Sequence, residues 1–214
     1  MRDDTVIFLH GFLGAPQAWD EVAATLGDRD LSVRCPWLPG HGEEPPIRAG
    51  SFDAIIEALG ERWLATGRTV LVGYSMGARI ALALAARFPA RIRAVLAVGA
   101  HTGITSATER AERLAWERGL VADLASRGLE AFVRGWEALP LFATQQALPA
   151  AAQERQRSMR LGHKVEAIAW SVEALGAGVM PPLLDALAEG GVPVVFAVGS
   201  LDRRAVAVAR GAMG

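Results

Sequence analysis

At 214 residues, with 22 Lys and Arg against 23 Asp and Glu and a net charge of -1, the chain is sized for one domain that buries about 70% of the surface its unfolded form exposes. Near-neutrality excludes a broad electrostatic attraction to nucleic acid, and a composition of 51% hydrophobic residues excludes disorder. No apolar stretch reaches the length of a membrane span, MRDD runs directly into TVIFLHGF without the pattern of a signal peptide, and the lone Cys35 cannot form an intramolecular disulfide. A cytoplasmic setting is expected.

In chain order, short apolar runs recur at VIFLH (6–10), LSVRC (31–35), TVLVG (69–73), AVLAVG (94–99) and VPVVFAVG (192–199). Helical patterns separate most of them: AWDEVAATLG, FDAIIEALGERWLATG, and GARIALALAARFP, where Pro89 marks a stop. Alternating strands and helices, with the strands apolar throughout, predict an α/β fold: a mostly parallel sheet with helices on both faces. Between 101 and 185 the pattern turns purely helical. SATE (106–109) has the form of a capping box. Helices are predicted over 107–118, 120–127, 129–137, 147–161 and 165–175, broken at Gly119, Gly128, Pro140 and Gly162. Residues 1–100 and 186–214 then read as the core and 101–185 as a helical cap over the strand ends, where such sheets bind ligands.

Chemistry concentrates in two glycine-bracketed turns. Gly73-Tyr74-Ser75-Met76-Gly77 ends one strand and opens a helix, the context in which G-x-S-x-G lifts a serine above a sheet. His10-Gly11-Phe12-Leu13-Gly14 closes the first strand, and the backbone N–H groups of Phe12 and Met76 make a candidate oxyanion hole. His10 precedes the turn and reads as a structural or pocket-lining ring. Arg79 stands four residues after Ser75, on the same helix face. A guanidinium there either meets a carboxylate ligand or pairs with a structural glutamate.

The segments LHGFLG, LPGHG (38–42), GYSMGAR and VGSLD resemble the α/β-hydrolase superfamily from residue 5 to about 204. Within it, GYSMGAR, RAER (110–113), WEALPLF (136–142), RQRSMR (155–160) and GAGVMPPLLDAL (176–187) resemble the 2-succinyl-6-hydroxy-2,4-cyclohexadiene-1-carboxylate synthases of the menaquinone pathway. The resemblance implies a lyase that works without a cofactor or metal on a small polycarboxylate, with no nucleic acid or membrane partner. By that resemblance Ser75 is the base of a 1,4-elimination and Asp202 the acid that orients a histidine. Arg79, Arg113 and Arg160 meet carboxylates, with Arg157 the alternative to Arg160. Trp136 and Tyr74 contact substrate, Trp136 equally well reading as a cap-core aromatic. His10 is grouped with the substrate-binding residues, His101 is a candidate pocket residue, and His163 reads as a surface residue.

The order Ser, Asp, His leaves one place empty, because no histidine follows Asp202. Three explanations stay open. The chain stops inside the helix that follows Asp202 and is expected to be aggregation-prone and weakly active, or His10 or His101 serves Ser75 from another direction, or the protein is a non-catalytic carboxylate binder. Among enzymes, a serine carboxylesterase is the alternative.

Overall fold

The computed structural model describes residues 4–26, 31–64, 68–200 and 206. Among these residues five strands form one parallel sheet: β1 (Asp4–Leu9), β2 (Leu31–Arg34), β3 (Thr69–Tyr74), β4 (Ile92–Val98) and β5 (Val194–Ala197), in the order β2-β1-β3-β4-β5. Every strand coincides with an apolar run of the sequence. The chain leaves β1 toward one edge and returns at β3 to build toward the other, so the direction of winding reverses between β1 and β3. In parallel sheets a crevice opens at that reversal, beyond the carboxyl ends of the strands.

Alternation along the strands divides the core. Ile7, Leu9, Leu71, Val95 and Ala97 face the larger cluster, built with α2 (Phe52–Trp63), α3 (Met76–Arg87) and α7 (Leu184–Gly190). Val6, Phe8 and Val72 face the opposite side, covered by Trp19, Leu26 and Cys35. The expected first helix is shorter than its pattern: a 3-10 turn over Pro16–Trp19 leads into α1 (Asp20–Thr25). Helix α3 is buried from Met76 through Ala85, with Arg79 the one charged residue of that stretch, which is the environment of a central helix rather than a surface one.

Between β4 and β5 lie α4 (Ala107–Glu137), a 3-10 segment over Pro140–Ala147, α5 (Ala150–Leu161) and α6 (Val165–Leu175). Ser106 caps α4, its hydroxyl accepting from the Glu109 N–H at 3.3 Å. The break expected at Gly119 is absent: helix runs through it, since an interior glycine costs about 1 kcal/mol and does not by itself end a helix. Gly128 does interrupt the helix, at φ 73, ψ 168. The helix expected from 147 begins at Ala150, after Pro149, and ends at Gly162 as read. Leu124, Phe132, Val133 and Ile168 make a second cluster that closes on Leu13 of the first turn. Leu175, Met180 and Leu183 already pack with the sheet-side core.

Candidate active site

The turn after β3 is built by what its glycines exclude. A β-carbon at Gly77 would collide with the carbonyl oxygens of Leu9 and His10, and one at Gly73 would stand 2.5 Å from the backbone of Ala78. The close packing of α3 against β1 and β3 therefore requires both. Between them Ser75 adopts φ 52, ψ -111, a strained conformation for a residue with a side chain, and its N–H donates to the Val98 carbonyl at 2.8 Å. The serine so held heads α3, where the helix dipole favours negative charge. Met76 is the first residue of that helix.

The turn after β1 is the other wall of the crevice. Gly14 N–H donates to the Gly11 carbonyl at 2.9 Å, and Leu13 sits at φ 57. Phe12 packs edge-on to Trp136 at 5.1 Å and to Phe132 at 6.3 Å, so the cap rests directly on this turn. A cavity of about 390 Å³ opens between the two turns and the cap, lined by Phe12, Tyr74, Ser75, Arg79, His101, Arg113, Trp136 and Arg160 among others. Sequence reasoning selected all eight.

Each arginine is held differently. Arg79 is buried, and its Nη1 donates to the Leu175 carbonyl at 2.8 Å; among the described residues no carboxylate lies within ion-pairing distance of it. Burial, with Arg113 nearby, pulls its guanidinium down to about 10, and Glu117 acts in the opposite direction. It stays charged at neutral pH. Arg113 donates from Nε to Glu117 at 2.7 Å and lies over the Trp116 ring at 4.4 Å. Arg160 donates to Glu137 at 2.9 Å and to Gln145 at 2.8 Å, and covers Phe142. Arg157 shares Glu137 but faces an adjoining cavity of about 330 Å³, so of the two candidates Arg160 is the one that lines the space above Ser75.

The histidines require two corrections. His163 is buried, not on the surface: its Nδ1 accepts from the Gly42 N–H at 2.9 Å, tying the cap to the LPGHG turn. His10, grouped with the substrate-binding residues, lies beneath the site. Its Nδ1 donates to the Gly11 carbonyl at 2.9 Å and its Nε2 accepts from the Leu38 N–H at 3.1 Å, which leaves neither nitrogen for substrate. His41, not selected from the sequence, bridges the two, with ring centroids 5.1 Å from His10 and 5.2 Å from His163, and its Nε2 accepts from the Leu13 N–H at 3.3 Å. Burial lowers all three, His10 to about 4. Among the described residues no three His, Cys, Asp or Glu are arranged to hold a metal ion. His101 is the described histidine that lines the cavity, its Nδ1 accepting from Gly103 N–H at 3.0 Å. Asp202 lies outside the described residues.

The residue that sequence reasoning missed is Glu117, buried against the 176–178 loop and joined to Arg113. Its spacing of four from Arg113 was the available signal.

A family model described as the alpha/beta hydrolase fold matches residues 4–158. A Bacillus subtilis (strain 168) protein provisionally named 2-succinyl-6-hydroxy-2,4-cyclohexadiene-1-carboxylate synthase is 34% identical over 211 residues, covering 96% of this chain and 76% of the relative. The Escherichia coli (strain K12) synthase of that name is 30% identical over 208 residues, covering 95% of this chain and 80% of its own. Among solved structures, MenH from S. aureus superposes with a TM-score of 0.90 at 30% identity, over 99% of this chain and 81% of that one. An esterase from Thermogutta terrifontis, at a TM-score of 0.79 and 23% identity over 98% of this chain and 78% of its own, shares the fold.

Proposed function

The chain belongs to the alpha/beta hydrolase fold family and, within it, to the 2-succinyl-6-hydroxy-2,4-cyclohexadiene-1-carboxylate synthases, and from that premise we propose that it eliminates pyruvate from 2-succinyl-5-enolpyruvyl-6-hydroxy-3-cyclohexene-1-carboxylate in menaquinone biosynthesis, in the cytoplasm. The observation that carries the reading is the convergence of Ser75, Arg79, Arg113 and Arg160 on one cavity. The substrate bears three carboxylates, on the ring, the succinyl arm and the enolpyruvyl group. Guanidinium groups match carboxylates in both charge and shape.

Passing from a 3-ene to a 2,4-diene requires loss of the proton from ring carbon 2, a shift of the double bond, and cleavage of the bond from carbon 5 to the enolpyruvyl oxygen. Pyruvate leaves as its enolate and takes up a proton. Carbon 2 adjoins the succinyl carbonyl, so the negative charge created there spreads onto an oxygen. Backbone N–H groups of Phe12 and Met76 are the donors for that oxygen. Ser75 takes the ring proton, which a serine does well only when its own proton passes to a histidine; no histidine follows Asp202 in the sequence, and of those it contains His101 is the one that lines the cavity. Tyr74 and Trp136 flank the ring.

The test is pyruvate release, read by coupling to lactate dehydrogenase, from the enolpyruvyl substrate. Turnover that falls by at least about a hundredfold in Ser75→Ala is expected. Rapid hydrolysis of simple carboxylate esters with no pyruvate released would assign Ser75 to acyl transfer instead.

A further inference from the structure

The elimination leaves one tightly built feature unused. Glu117 is 4% exposed, and both oxygens of its carboxylate are bonded: Oε1 accepts from the Ala177 N–H at 2.7 Å and from Arg113 Nε at 2.7 Å, and Oε2 accepts from the Gly178 N–H at 3.2 Å. A β-carbon at Gly176 would stand 2.6 Å from Oε2, and one at Gly178 would stand 2.9 Å from it. The GAG of GAGVMPPLLDAL is closely packed, against the Val172 carbonyl and this carboxylate at Gly176 and against Leu114 and this carboxylate at Gly178. A buried carboxylate is retained only when its lone pairs are met, and here two backbone donors and one guanidinium meet them.

The same carboxylate is bonded to one cation of the site and acts by its charge on another. Arg79 feels the repulsion of Arg113 and the attraction of Glu117. Arg113 spends Nε on Glu117, while among the described residues its two terminal nitrogens have no hydrogen-bond partner. We propose that Glu117 is the positioning residue of the carboxylate-binding pocket: it fixes Arg113 by Nε so that the terminal nitrogens remain for a substrate carboxylate. The proposal rests on the lyase reading only for which carboxylate is bound; the clamp itself recognises any small dicarboxylate. Without it, Arg113 keeps its stacking on Trp116 but loses its fixed direction.

Trp116 and Trp136 line the cavity, so their fluorescence reports its occupancy. Succinate is titrated into the wild type, Glu117→Gln, Arg113→Ala and the double variant. The two single variants are expected to bind about tenfold or more weakly, and Glu117→Gln should cost nothing further in the Arg113→Ala background. A merely structural glutamate would weaken binding by the same factor in both backgrounds, which would overturn the proposal. Glu117→Asp, which keeps the charge but withdraws it from Arg113 Nε by one methylene, repeats the test should Glu117→Gln fold poorly: its loss of affinity should likewise vanish with Arg113→Ala. Failure of succinate to bind the wild type would remove the carboxylate site itself. Pyruvate release is independent of all these readings, so failure of the lyase assignment and failure of the clamp give different results.

Discussion

Ser75 holds its hydroxyl in place by occupying φ 52, ψ -111, a conformation that costs a residue with a β-carbon about 1–3 kcal/mol and glycine almost nothing. Ser75→Gly should therefore raise the melting temperature by several degrees, at about 2–4 °C per kcal/mol for a domain of this size, while abolishing pyruvate release; an unchanged or lowered melting temperature in calorimetry would mean the elbow stores no strain. Arg79 supports a second prediction. Arg79→Met should weaken binding of the cyclohexadiene dicarboxylate product by about 2–5 kcal/mol, measured by titration calorimetry, and Arg79→Lys should recover only part, because an ammonium keeps the charge but not the fork. This residue was legible in the sequence because helix geometry alone places it one turn from Ser75. Glu117 was not, since its partners Ala177 and Gly178 are about sixty residues away. The same applies to His163, whose acceptor role depends on Gly42, 121 residues distant; a histidine in the short connection between two helices carries no local sign of a tertiary partner.

Strands and helices were legible where composition and period agreed, as in β3 and α3, and less so where a single residue type was asked to mark a boundary. Gly119 and Gly128 illustrate the difference. The pattern predicts a break at both, yet Gly119 lies within a continuous turn of α4, exposed and with open space where a β-carbon would go, whereas Gly128 sits at φ 73, ψ 168. One glycine is tolerated by a helix and the other is needed by a kink. Gly119→Ala should then stabilise by about 0.5–1 kcal/mol, and Gly128→Ala should destabilise by about 1–3 kcal/mol, because no residue with a β-carbon rests easily there. Urea unfolding at neutral pH separates the two; a common sign for both would mean that α4 is not divided at 128. The kink bears on the site, since α4 carries Arg113 and Glu117 before it and Trp136 after it. Straightening it would swing one group relative to the other.

Across the whole molecule, core and cap are joined beneath the cavity by His10, His41 and His163, whose rings lie edge to face and each of which accepts a backbone N–H: Leu38, Leu13 and Gly42 respectively. A ring nitrogen that accepts must be unprotonated, so the native state requires all three to be neutral. Burial provides that by lowering each, His10 from the usual 6.5 to about 4, His41 well below the usual value and His163 in the same direction. Unfolding restores the ordinary value, so below about pH 6.5 the unfolded chain binds protons that the folded chain refuses, and stability falls with acid. The contribution is complete above the unfolded value and disappears as pH descends through the folded one. For His10 alone, the shift from 6.5 to about 4 makes the loss at pH 5 about 2 kcal/mol. Melting temperature should therefore drop by about 4–8 °C or more between pH 7.5 and pH 5, a window lying above most carboxylate titrations. His10→Gln, whose amide oxygen can still accept from Leu38, should lose less over the same interval. An equal drop in wild type and variant would locate the acid sensitivity elsewhere, while a smaller drop would identify the imidazole stack as the seam that opens first. Because His41 bonds Leu13 in the turn after β1 and His163 lies between α5 and α6, opening that seam loosens the cavity's wall and its cover together.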